Sequence, residues 1–131
     1  MVKQFPPPCP CRGFTLIELL VVMALIGMLL SLSVPRYFGN VDKAKESVLR
    51  QNLAQTRDAI DKYFGDNGRY PDTLDEIVVR HYLRKMPVDP ITDRSDSWIV
   101  VAPEKKDMGN VFDVKSGATG RARDGSEYAS W

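Results

Sequence analysis

From Phe14 to Val34 the chain is apolar apart from Thr15, Glu18, Gly27, Ser31 and Ser33, and Glu18 carries the single charge of these 21 residues. As a helix rising about 1.5 Å per residue the run spans about 31 Å, the thickness of bilayer hydrocarbon. Beyond Pro35 the pattern becomes amphipathic. Phe38, Val41, Val48, Leu49, Leu53, Ile60, Tyr63 and Phe64 recur at helical spacing, while Lys43, Lys45, Glu46, Arg50, Arg57, Asp58 and Lys62 fill the other face. One helix is therefore predicted from Phe14 to Phe64, and Gly65-Asp66-Asn67-Gly68 ends it. A proline inside a helix loses an amide hydrogen bond and clashes with the carbonyl four residues back, so Pro35 is expected to kink or locally melt the rod.

The remainder alternates short signals. Asp72 or Thr73 can cap a second helix whose Leu74, Ile77, Val78 and Leu83 face the first, with His81 as a partly exposed structural residue on it. Two prolines in Lys85–Pro90 forbid helix and predict an extended crossing. Ser97–Ala102 and Asn110–Ser116 read as strands joined by the Pro103–Gly109 loop into an antiparallel hairpin. Its second strand should set Val111, Asp113 and Lys115 against Phe112 and Val114, one face buried and one wet, with Trp98 and Phe112 in the core. The fold class is α+β, a long kinked helix packed on a small antiparallel sheet.

Glu18 is costly in a membrane span, on the order of 2 to 3 kcal/mol at mid-bilayer and less toward the interface. A secretory signal peptide would use Lys3 and Arg12 as its basic region, Leu19–Leu30 as its apolar region and Ser31-Leu32-Ser33 as its cleavage site. The acidic residue ahead of the apolar run and the helical pattern across the supposed cut argue against it. Instead, Gly13-Phe14-Thr15-Leu16-Ile17-Glu18 and the apolar run after it resemble the processing site of type IV pilins and of the pseudopilins of type II secretion systems. The fold this implies is type IV pilin-like. The resemblance also implies a membrane-embedded peptidase that cuts between Gly13 and Phe14 and methylates the new amino group, with Glu18 fifth in the mature chain and Pro35 at the family's kink.

The expected organisation is a cleaved leader at 1–13, a transmembrane and assembly half-helix at 14–34, an amphipathic half-helix at 35–67 and a small periplasmic α/β part at 68–131. Removing Lys3 and Arg12 turns 18 Lys plus Arg against 17 Asp plus Glu into 16 against 17, which leaves no basic excess suited to nucleic acid. Cys9 and Cys11 also belong to the leader, so disulfides and cysteine catalysis are excluded after cleavage. Pro6-Pro7-Pro8 makes the leader extended and exposed.

The soluble part most resembles the major, G-type pseudopilin, through Gly68–Pro71, Leu83–Pro90, the Ser-Gly-Ala-x-Gly turn at Ser116–Gly120 and the closing Trp131. The resemblance implies a homopolymer in the bacterial inner membrane with its domain in the periplasm. Other pseudopilins, the prepilin peptidase and methyltransferase, the inner-membrane assembly platform and its ATPase are the partners. Assembly would pair Glu18 with the Phe14 amino group of a neighbour, and the filament would push exoproteins across the outer membrane. Two alternatives stay open: a type IV pilin for adhesion, motility or DNA uptake, and a secreted soluble binding protein.

Members of this type hold calcium in the final loop. Asp124, Ser126 and Glu127 are the candidate donors here, although the loop is short, Thr119 stands where an Asp would, and Arg121 and Arg123 disfavour a cation. A loop tied down by arginine–carboxylate pairs and Trp131 is the other reading. No catalytic constellation is found: Gly117–Gly120 lacks the lysine of a phosphate-binding loop, Asp89–Asp96 lacks the spacing of a calcium-binding EF-hand, and no nucleophile accompanies its carboxylates. The chain is expected to be a building block and not an enzyme.

Overall fold

The computed structural model describes residues 1–5, 10 and 12–131; the expectations attached to Pro6, Pro7, Pro8, Cys9 and Cys11 lie outside these residues. Helix α1 runs from Leu16 to Asn67, helix α2 from Leu74 to Val79, strand β1 from Ile99 to Val101 and strand β2 from Asp113 to Lys115. Single 3₁₀ turns lie at Lys106–Met108 and Tyr128–Ser130. The chain forms two compact units, Met1–Phe38 and Gly39–Trp131.

In the first unit α1 is helical through Pro35, so the chain does not unwind there. No residue of its most apolar 18-residue window is buried, and the helix is long and apolar enough to cross a membrane.

In the second unit Leu49, Leu53, Thr56, Ala59, Ile60 and Tyr63 form the buried stripe of α1. Their spacing of three and four residues puts them on one face. Leu49, Leu53, Ala59 and Ile60 meet Ile77 of α2, Trp98, Val111 and Val114 in one hydrophobic cluster, flanked by Leu74, Leu83 and Met86. Each fully buried aliphatic side chain contributes about 1.5–3 kcal/mol relative to exposure. Arg57 fastens α1 to β2, donating from Nε to Asp113 Oδ1 at 2.7 Å and from Nη2 to the Val114 carbonyl at 2.9 Å.

Gly68 ends α1 with φ 68°, and its amide donates to the Phe64 carbonyl at 2.8 Å. Thr73 caps α2 by accepting from the Glu76 amide at 3.3 Å. That helix is shorter than expected, and His81 lies beyond it. The His81 and Tyr82 amides donate back to the Val78 and Ile77 carbonyls at 3.0 and 2.9 Å, with His81 in the left-handed region at φ 64°. This is a Schellman termination with histidine where glycine is usual.

The hairpin pairs antiparallel, with Ile99 opposite Lys115, Val100 opposite Val114 and Val101 opposite Asp113. The expected alternation fails at its start: Val111 is buried and Phe112, expected in the core, is 48% exposed with its ring edge-on to Tyr70. The reason lies in the backbone. The Val111 amide donates to the Pro71 carbonyl at 3.0 Å, so the regular ladder starts only at Asp113 and Val111 precedes its phase. Trp98 is in the core as expected, with Nε1 donating to the Pro87 carbonyl at 2.9 Å.

The proline-rich crossing contains a fully buried carboxylate. Asp89 Oδ1 accepts from the Ile91 amide at 2.8 Å and the Thr92 amide at 3.3 Å, and Oδ2 accepts from Ser116 Oγ at 2.5 Å. Asp89 is thus a structural staple between the crossing and the end of β2, which answers the question of its chemistry: buried polar groups are kept where hydrogen bonds satisfy them.

Candidate functional site

Gly13 and Phe14 precede α1, and both are exposed. A Cβ on Gly13 would meet nothing within 4 Å, so the fold of this chain does not itself require glycine there. Thr15 starts the helix: its Oγ1 accepts from the Glu18 amide at 3.3 Å, and its carbonyl accepts from the Leu19 amide at 3.2 Å. Thr15-x-x-Glu18 therefore has the spacing of a capping box, a signal legible in the sequence beside the lone charge. Glu18 sits in the first turn, where the helix dipole favours a carboxylate by about 0.3–1 kcal/mol when exposed. The geometry thus makes Gly13-Phe14 an accessible bond ahead of a helix, with an anionic side chain one turn in and apolar surface after it. Pro35 lies inside that helix, 17 residues beyond Glu18.

The calcium candidates lie in the second unit, in the loop closing the chain. Asp124 Oδ1 accepts from the Ser126 amide at 2.9 Å and from Ser126 Oγ at 2.5 Å, and Oδ2 accepts from Arg50 Nη2 at 3.1 Å. The Ser126 hydroxyl, foremost, and amide hold the Asp124 carboxyl below the usual carboxylate range, with Arg50 adding to the effect. Glu127 points instead to Arg121, 3.8 Å from Oε1. Asp124 and Ser126 are brought together and Glu127 is not. Calcium takes six to eight oxygens. Here both Asp124 oxygens are engaged by protein donors, Thr119 supplies no charge, and among the described residues no group of three or more His, Cys, Asp or Glu side chains could hold a metal ion.

Two residues of α1 govern that loop and were not singled out as site residues from the sequence. Glu46 Oε1 accepts from the Arg123 amide at 2.9 Å and from the Tyr128 hydroxyl at 3.2 Å. The Arg50 guanidinium stacks over the Trp131 ring, 4.1 Å from its centroid. Both sit on a helix face that reads as solvated, and no local pattern announces a partner more than 70 residues away.

A family model described as "Prokaryotic N-terminal methylation motif" matches residues 9–34, a span that includes Gly13, Phe14 and Glu18. The type II secretion system core protein G of Klebsiella michiganensis is 30% identical over 136 residues, covering 92% of this chain and 92% of that protein. The protein of the same name from Pseudomonas aeruginosa is 29% identical, covering 91% of this chain and 94% of its own length. That from Escherichia coli K12 is 35% identical over 95 residues, covering 60% of this chain and 66% of its own length. No solved structure matches the chain significantly.

Proposed function

The chain belongs to the family of the type II secretion system core protein G, and from that premise we propose that it is a structural subunit of the type II secretion pseudopilus, polymerising through its N-terminal helix to push exoproteins across the outer membrane. The observation that carries this reading is the likeness to a core protein G over 92% of both chains, joined to a methylation motif that ends in an exposed apolar half-helix.

The precursor spans the inner membrane once, with its C-terminal domain in the periplasm. Prepilin peptidase cuts between Gly13 and Phe14 and methylates the new amino group; the exposed bond ahead of the helix supports access to it. The chain is a substrate in that step and catalyses none. Assembly moves the apolar half of α1 from lipid into the centre of a filament of like helices, on the inner-membrane platform and under its ATPase. There Glu18 needs a counter-charge, because an unpartnered carboxylate in a low-dielectric core is heavily penalised. The Phe14 amino group of the neighbouring subunit supplies it, and the pairing fixes axial register.

Mass spectrometry of the mature protein tests the processing. A methylated Phe14 at the N-terminus is expected, and a chain starting at Val34 would instead make it a secreted soluble protein. Glu18→Val tests assembly: it should leave membrane insertion intact and reduce filament yield at least tenfold in electron micrographs of overexpressing cells. Filaments at the normal yield would remove Glu18 from the mechanism.

A further inference from the structure

We propose that the C-terminal loop of this chain is organised without calcium, by a clasp in which the guanidinium of Arg50 performs the charge-bridging role that an ion would have. The inference concerns the loop alone and holds whichever filament the subunit enters.

The clasp is built from both sides. Arg50 on α1 donates from Nη2 to Asp124 Oδ2 at 3.1 Å and lies over the face of Trp131 at 4.1 Å. Trp131 Nε1 donates to Ser126 Oγ at 2.8 Å, and that hydroxyl donates to Asp124 Oδ1 at 2.5 Å. Arginine, carboxylate, hydroxyl and indole therefore close a ring around one cation. A second anchor lies about one turn earlier on the helix, where Glu46 takes the Arg123 amide and the Tyr128 hydroxyl. A third is the Arg123 Nη1 bond to the Gly39 carbonyl at 3.2 Å. The Tyr128 and Trp131 rings meet edge to face at 5.3 Å, so the last turn is also packed against itself.

A divalent cation added to this loop would have to displace Arg50 from Asp124 and Arg121 from Glu127, with Arg123 close by. The Arg50 guanidinium already stands against Asp124 Oδ2 and Arg121 stands beside Glu127, so a cation would meet like charge at both carboxylates. A guanidinium stays protonated at any working pH, presents planar donors and stacks on aromatic faces, three properties this geometry uses together. It is also covalently part of the subunit. Loop order then becomes independent of the divalent ions around the protein.

The test uses the full chain in detergent micelles, with thermal unfolding followed by tryptophan fluorescence in excess calcium chloride and in excess EGTA. The two melting midpoints should coincide. Arg50→Gln should lower the midpoint by about 4 °C or more in either buffer and speed the release of Trp131 by carboxypeptidase at least tenfold. Arg50→Lys, which keeps the charge and loses the planar stack, should fall between. A midpoint that rises with calcium in the unsubstituted chain would overturn the proposal, and so would an Arg50→Gln chain whose midpoint and tail release match the unsubstituted one. If Arg50→Gln fails to accumulate, the calcium comparison on the unsubstituted chain and the Arg50→Lys measurement still decide.

Discussion

At His81 the backbone holds φ 64°, a conformation costing a side chain-bearing residue roughly 1–2 kcal/mol relative to glycine. The imidazole is exposed and the turn is made by main-chain bonds, so His81→Gly should stabilise the domain by about 1 kcal/mol and raise its midpoint by about 4–8 °C. A variant melting no higher than the parent would show that the ring makes a compensating contact. Glu76 belongs to the same turn of chain. It accepts from the Tyr63 hydroxyl at 2.6 Å and the Asp72 amide at 2.9 Å, and these bonds, Tyr63's foremost, hold its pKa below the ordinary 4.5. The unfolded chain takes up that proton more readily, so the stabilisation is complete above about 4.5 and is lost as pH falls through the depressed folded value. Glu76→Gln should therefore flatten the acid limb of the stability profile measured by denaturant titration; an unchanged limb would place the acid sensitivity elsewhere. Neither residue could have been assigned this way from the sequence. Histidine in a left-handed cap is rare, and the partners of Glu76 come from two elements that only packing brings together.

Among the elements, the buried face of α1 supplies the largest share of the core, and Leu53 is buried within it. Leu53→Ala should cost about 2–5 kcal/mol, the transfer of the side chain plus the cavity left behind, measured as a lower denaturant midpoint with unchanged slope. The apolar periodicity showed this face, yet it missed Thr56 and Ala59 and included Val48, which is exposed. Thr56 enters the core because its hydroxyl donates to the Asn52 carbonyl at 2.9 Å, and that bond hides its polarity. The hairpin was legible as two strands and an antiparallel turn, while its length and phase were not. Its limits come from close approaches: a Cβ at Gly117 would stand 2.0 Å from the Ser97 carbonyl oxygen, and the Val111 amide is committed to Pro71. Distances of this kind between remote segments leave no periodic trace in a chain.

For the whole molecule, the proposed cleavage after Gly13 would change the sign of the net charge as well as the length. The precursor carries a formal net charge of +1, and loss of Lys3 and Arg12 with the leader leaves about −1, since the leader has no Asp or Glu and the amino terminus is only exchanged. Isoelectric focusing of membranes with and without the peptidase should resolve two species, the shorter at lower pH; co-migration would mean that residues 1–13 remain. The apolar half of α1 has a further consequence for such a subunit. Lipid tails are as apolar as leucine, so moving that half-helix from bilayer to a bundle of its own kind gains little from the hydrophobic effect. The transfer is close to a balanced partition between two oily phases, and a single satisfied charge can tip it. For such a subunit the choice between bilayer and bundle then rests on helix packing and on the partner of one carboxylate, and not on the amount of apolar surface.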